Sequence, residues 1–319
     1  METEEVEKAE QVVEEEPEAE EFLEAEGQGE ELPETEEYER ESLEEELETE
    51  DQEGNRQGEA QGEEPEENGV PLAVFEATMD AKTLKSLVEA VHSVLSSDAV
   101  LHVTNDGIKL RQMDSTKTVL VDLYLHKMGL YEFDVQQEGA LHLNLDDLED
   151  VLARAKRGNY VTLRVKDNRL HIVIEGNVTK RFSFPIQEPE LREIPDLSLK
   201  FTARLTMDPD DLVDALRDAE LFAETFRLEA DREKLVVYSG SEQGDVTITF
   251  SAPDVVQLDV GAPAKSSYRI AELEKFLDKA RRLFAQVTLE FAEKVPLRLT
   301  GTTPDHQLTV QLYLAPIIE

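Results

Sequence analysis

The 319 residues carry 73 acidic against 32 basic side chains, a formal charge of −41, and contain no cysteine. The missing cysteines exclude a disulfide framework, a thiolate zinc site and a thiol nucleophile together. No apolar run nears the roughly 18 residues of a membrane span, and the start, METEEVEKAE, has neither the basic nor the apolar region of a secretory leader, so the expected setting is intracellular, without a membrane.

The charge is unevenly spread. Residues 1–70 hold 32 acidic and 3 basic side chains, a net of −29, which leaves 41 and 29 for the remainder. Their apolar residues come as isolated pairs, Val12 with Val13 and Phe22 with Leu23, too few for burial to offset chain entropy. An acidic disordered tail is expected over 1–70. Its most helix-prone stretch, 34–50, is weakened by like charges at i, i+4.

Beyond Pro71 the pattern changes to short apolar alternations broken by turns, with four helix-period stretches among them. Leu84, Leu87, Val88, Val91 and Leu95 follow i, i+3, i+4, i+7, i+11, the stripe of a helix lying on a sheet, while Lys82, Lys85, Glu89 and His92 share another face. Asn105, Asp106 and Gly107 supply a turn. On either side of Asp114, Ile108 with Leu110 and then Val119, Val121, Leu123 and Leu125 alternate as half-buried strands do. Further helices are expected over 145–157, 209–220 and 270–282. The second and fourth helices end in Arg154, Lys156, Arg157 and in Lys279, Arg281, Arg282. The last strand, 307–314, puts Leu308, Val310, Leu312 and Leu314 on one face.

The folded part repeats itself. Phe75, Met79, Asp80 and Leu84 return as Phe201, Met207, Asp208 and Leu212. Leu148, Leu152, Ala155, Lys156 and Arg157 return as Leu273, Leu277, Ala280, Arg281 and Arg282, at nearly the same offset. The expectation is an α+β chain of two duplicated domains, 71–186 and 200–319, joined by a connector over 187–199 that contains Pro189 and Pro195.

Catalysis is not expected. The six histidines, His92, His102, His126, His142, His171 and His306, show no metal spacing, and neither a Gly-rich phosphate loop nor a nucleophile elbow is present. No cofactor and no metal are implied.

At three further places the chain resembles the proliferating cell nuclear antigen family, the sliding clamps of archaea and eukaryotes: Asp106-Gly-Ile-Lys-Leu-Arg-Gln-Met-Asp114-Ser115, Val295-Pro296-Leu297, and Tyr313-Leu-Ala-Pro316-Ile-Ile-Glu319. The resemblance covers 73–319 and leaves the tail unmatched. It implies a head-to-tail ring-shaped trimer with helices lining the hole and antiparallel sheets outside, subunit contacts pairing 178–185 of one chain with 245–251 of the next. It also implies a processivity factor that encircles duplex DNA without sequence preference and docks DNA polymerase, clamp loader, flap endonuclease and DNA ligase, in the cytoplasm of an archaeon or the nucleus of a eukaryote.

By this alignment the DNA-facing residues are Lys82, Lys85, His92, Arg154, Lys156, Arg157, Arg217, Lys279, Arg281 and Arg282, making loose phosphate contacts. Complementing helix dipoles is the competing role for those at helix ends. The helix 209–220 departs from the family pattern with Asp210, Asp211, Asp214 and Asp218 against Arg217, which sets its DNA contact in question. The resemblance implies a partner-peptide pocket of Met113, Lys117, Leu120, Ile194, Pro296, Tyr313, Leu314, Ala315 and Pro316. Ile317 stands where many relatives carry Lys or Arg. A second function is open at this point: an acidic interaction protein whose Glu-rich tail mimics nucleic acid toward basic partners.

Overall fold

Two halves of the chain run through the same order of elements. The computed structural model describes residues 70–188, 194 and 196–318; the acidic segment and the helix expected within 34–50 lie outside them. The first half contains β1 (Val74–Asp80), α1 (Ala81–His92), β2 (Asp98–Thr104), β3 (Gly107–Met113), β4 (Val119–His126), a 3-10 turn (Lys127–Gly129), β5 (Glu132–Gln137), β6 (Gly139–Asn144), α2 (Leu145–Leu152), β7 (Tyr160–Lys166), β8 (Arg169–Glu175) and β9 (Lys180–Pro185). The second contains β10 (Ala203–Met207), α3 (Pro209–Glu220), β11 (Thr225–Ala230), β12 (Lys234–Ser241), β13 (Gly244–Ser251), a 3-10 turn (Ala252–Asp254), β14 (Gln257–Val260), β15 (Ala264–Arg269), α4 (Ile270–Ala280), a 3-10 turn (Arg281–Leu283), β16 (Gln286–Phe291), β17 (Leu297–Thr302) and β18 (Leu308–Leu314).

The pairing repeats as well. The order β5-β1-β7-β8-β9 corresponds to β14-β10-β16-β17-β18, and β6-β2-β3-β4 corresponds to β15-β11-β12-β13. A cross-strand threonine pair marks the equivalence. Thr78 and Thr162 are hydrogen-bonded at 2.8 Å in the first half, and Thr206 and Thr288 at 3.0 Å in the second.

One joint breaks the separation between halves. β18 pairs antiparallel with β4, fusing a sheet of each half into nine strands. Leu308, Val310, Leu312 and Leu314 meet Leu125, Leu123, Val121 and Val119 across it, all of them buried. Burying each such side chain contributes about 1.5–3 kcal/mol.

Three of the four helices, α1, α2 and α3, start where a short polar side chain caps them. Asp80 accepts from the Thr83 amide, Asn144 from that of Asp147, and Asp208 from that of Asp210 ahead of Pro209 at the first helical position. Packing places the four side by side in the order α2, α1, α4, α3. Two helix ends differ from expectation: α2 stops at Leu152 rather than 157, and α4 stops at Ala280 before a 3-10 turn. After Leu152 the core-facing stripe gives way to Arg154, Lys156 and Arg157. The chain then turns through Gly158, whose φ is +82°, while the Asn159 side chain accepts from the Lys156 amide at 2.8 Å.

Candidate nucleic-acid and partner-docking interfaces

The aligned basic residues divide by what they touch. Lys82, in the first turn of α1, and Lys156, Arg157 and Arg282 are exposed and have no carboxylate partner among the described residues. Arg154 is exposed and donates to the Asp150 carbonyl at 2.5 Å, capping the end of α2. The others are already engaged with acids. Lys85 lies 3.7 Å from Glu89 and Lys279 lies 3.4 Å from Asp278. His92 sits between Asp146 at 3.2 Å and Glu149 at 2.5 Å, tying α1 to α2. Arg217 is held by Glu274 at 3.2 Å and Asp278 at 2.5 Å, tying α3 to α4, and these hydrogen bonds and charges raise its pKa although desolvation opposes them. Arg281 reaches Asp210 at 3.0 Å.

The helix-dipole role is open to three of them: His92, Arg217 and Lys279 lie in the last turns of α1, α3 and α4, whereas α2 has no basic residue in its last turn. Lys275 lies outside the aligned set, because nothing in its neighbourhood along the chain marks it apart from the other surface lysines. It is exposed on α4 without a carboxylate partner among the described residues, and it shares the helix surface with Lys279 at i+4, with Arg282 following in the 3-10 turn.

Of the expected docking set, Met113, Leu120 and Tyr313 lie on the sheet face away from the helices. β3, β4, β18 and β17 place Met113, Leu120, Tyr313 and Arg298 in one row, each opposite the next. Leu120 is 2 % exposed, while Met113, Pro296, Ala315 and Pro316 are half-buried. The Ala315 amide donates to the Thr118 carbonyl, and Leu297 faces Leu314, which brings Pro296 and Pro316 to the same end. Leu314 itself points the other way, into the core joint. That corrects its place in the expected pocket: strand alternation sends Leu314 inward and Tyr313 outward.

Two groups that sequence reading missed frame the row. Arg111 on β3 binds Asp122 across the ladder and reaches Asp196 of the connector at 3.4 Å, drawing the connector over this face. Arg298 binds Glu290 and stacks on the Phe201 ring, 4.7 Å from its centroid. Ile194, also in the connector, is half-buried and belongs to no strand, so the ladder does not set its place.

Lys117 marks the turn between β3 and β4. It is exposed at φ +59°, and the Asp114 carboxylate organises the turn by accepting from the amides of Thr116, Thr118 and Val119 at 3.0, 2.8 and 2.6 Å. Partial burial disfavours the charge on Asp114, yet these bonds outweigh it and hold the carboxyl below its ordinary pKa. Beyond β18 the Ile317 amide donates to Ser267, docking the C-terminal residues on β15.

A family model described as "Proliferating cell nuclear antigen, N-terminal domain" matches residues 74–190. The DNA polymerase sliding clamp of Thermofilum pendens is 33% identical over 242 residues, 75% of this chain and 97% of that protein. DNA polymerase sliding clamp 1 of Aeropyrum pernix is 30% identical over 244 residues, 74% of this chain and 97% of its own length. The crystal structure of the proliferating cell nuclear antigen of Thermococcus kodakaraensis superposes with a TM-score of 0.72 at 27% identity, covering 76% of this chain and all of that one. That of Entamoeba histolytica gives 0.71 at 20% identity over 77% and 100%, a likeness of fold. The duplicated halves, the joint between them and these relatives agree: the chain belongs to the DNA polymerase sliding clamp family, of the proliferating cell nuclear antigen type.

Proposed function

We propose that three copies close into a ring around duplex DNA and act as a processivity clamp, each contributing domains 71–186 and 200–319 linked by 187–199. One observation carries the reading. The joint between β4 and β18 is closed within the chain, whereas their equivalents β13 and β9 are open edges of their sheets. Open edges of this length invite a further strand.

Those edges also hold apolar residues in reserve. Phe182 and Phe184 on β9, and Val246, Ile248 and Phe250 on β13, are half-buried at positions equivalent to buried ones in the closed joint. Carrying the register of the closed joint onto the open edges sets Phe182 opposite Val246 and the exposed Val178 opposite Phe250 of the next copy. A head-to-tail contact that closes by rotation gives a ring, here of six like halves.

In such a ring the row of four helices faces the hole, and cations on them meet phosphate without reading sequence. The outer row from Met113 to Tyr313 then takes short peptides from polymerase, clamp loader, flap endonuclease and ligase. The alternative, a protein acting through its acidic N-terminal segment alone, rests on residues outside those described. Light scattering of the full chain tests the ring: a mass of three chains supports it, and a monomer at micromolar concentration overturns it. Polymerase extension on a singly primed circle, with and without the chain, tests processivity.

A further inference from the structure

Tyr131 and Tyr160 stand at the surface of the first half, 65 % and 42 % exposed. Their ring centroids are 4.7 Å apart and the planes cross at 86°, an edge-to-face pair open to solvent. The duplication shows that the fold does not require it. The Tyr131 amide donates to Thr78 as that of Val256 does to Thr206, and Tyr160 precedes the Met79–Val161 rung as Gln286 precedes the Met207–Val287 rung. Val256 and Gln286 hold the equivalent places, so the second half builds the same strands without an aromatic pair.

The pair closes one end of a groove of about 560 Å³ on the sheet face away from the helices. The hydrogen-bonded Thr78 and Thr162 lie along it, and Arg181 of β9, opposite Val173, closes the other end. Charge divides along its length. At the tyrosine end stand Glu132, opposite Thr78, and Glu175, opposite Tyr160; both are exposed, and neither has a cationic partner among the described residues. Asp80 faces Tyr160 from the other side and helps to raise the Tyr131 pKa, after the larger effect of the hydrogen bond with Tyr160. Lys82 borders an adjoining cleft that Tyr131 also lines, without an ion pair to either glutamate among the described residues. Arg164, in the middle, is bound to Glu76. Arg181 is exposed and has no carboxylate partner among the described residues.

Aromatic faces set among carboxylates attract a cation through the ring quadrupole and the neighbouring charge together. An unpaired guanidinium calls for a carboxylate. From Tyr160 to Arg181 is two strand spacings across and two residues along, about 12 Å, which an extended chain covers in about three or four residues. We propose that the groove binds an extended peptide that lays a lysine or arginine on the Tyr131–Tyr160 pair and sets an aspartate or glutamate on Arg181. The groove is complete within one chain, so the inference stands apart from ring closure. Arg181 alternates with Phe182, which packs on the core, so strand pairing at β9 leaves the arginine facing outward. The tyrosine pair also lies past the opposite end of β4 from Leu120, because β4 leads through its 3-10 turn to Tyr131. A peptide held there leaves the row from Met113 to Tyr313 open.

The probe is a fluorescein-labelled peptide with one lysine and one glutamate, three residues apart in a Gly-Ser-Ala background, titrated by anisotropy against the full chain. A second peptide spaces them by four residues, and a third carries glutamine in place of lysine. At least one of the first two should bind saturably, and the glutamine peptide at least tenfold more weakly. Tyr131→Val with Tyr160→Gln gives the groove the residues of the second half, and Arg181→Gln removes the other anchor. Each variant should lose at least tenfold in affinity, with circular dichroism confirming that it is folded. A wild-type chain that binds none of the peptides saturably overturns the proposal. Binding that survives in the tyrosine variant overturns it as well, since the lysine would then sit on acidic surface elsewhere.

Discussion

Leu120 of β4 and Tyr313 of β18 are ladder partners across the joint between the halves, both closed to solvent on the sheet face away from the helices. Their pairing means that one change on this face has two consequences. On the proposed docking face Leu120→Ala should remove an anchor for a peptide, and it should also open a cavity at 2 % exposure that costs about 2–5 kcal/mol of stability. Pro316→Ala, at a half-buried position, separates the two. Fluorescence titration with a polymerase-derived peptide should show an affinity loss of about 2 kcal/mol or more for each variant, whereas thermal denaturation should move only for Leu120→Ala. Equal affinity for wild type and Pro316→Ala would place docking elsewhere.

The β3–β4 turn should make the structure pH-sensitive on the acid side. Asp114 has a folded-state pKa below its unfolded value, so the stability it contributes is present above the unfolded pKa and is lost as pH falls through the folded one. The loss should begin below about pH 4. Denaturant unfolding at pH 5 and at pH 3 should show a smaller drop for Asp114→Asn than for wild type, and at pH 5 the variant should be less stable by about 1–2 kcal/mol through weakened turn hydrogen bonds. Parallel losses in the two proteins would show that Asp114 has no part in the acid response.

Cations without acidic partners should govern DNA association, and those bound to acids should not. Charge reversal of Lys82, Lys275 and Arg282 should reduce the salt slope of binding by about three units with the trimer intact, at roughly one unit per phosphate contact. Arg217→Gln breaks the tie from α3 to Glu274 and Asp278. It should lower the melting temperature and leave the slope unchanged. Fluorescence anisotropy across a salt series distinguishes the two, and an unchanged slope for the triple variant would remove these helices from the DNA surface.

Much of this architecture is legible in sequence because it is local or repeated. The stripe from Leu84 to Leu95, the alternation from Val119 to Leu125 and the return of Met79-Asp80 as Met207-Asp208 each need only neighbouring residues or a fixed offset. Long-range partners are not legible that way. Arg217 looks like a free cation until folding brings Glu274 and Asp278 beside it, 57 and 61 residues away. Arg111 gives no sign of reaching Asp196. Leu314 matches the docking motif by position, and only its register opposite Val119 turns it into the core. Sequence pattern overextends two helix ends, to 157 and 282, because basic residues continue the polar pattern after the apolar stripe has stopped.

Charge in the N-terminal segment should set how strongly the ring holds DNA at low ionic strength. Residues 1–70 carry a net of −29. Their attachment point is fixed: Leu72 bridges to Ala140 on β6, the strand that leads directly into α2 and the exposed cations Lys156 and Arg157. On the proposed three-copy ring, such segments would lower the local potential that phosphate must approach and would compete with it for cations. Deleting 1–69 should therefore strengthen association with duplex DNA in 20 mM salt, and the gain should shrink by physiological ionic strength, where the screening length falls to about 8 Å. Loading the same excess of acid onto the C-terminus in place of the N-terminus separates position from total charge. If association recovers when the acid is moved, proximity to β6 and α2 is what matters. Truncated and full-length rings that bind equally at low salt would show that the segment's charge does not reach the DNA surface.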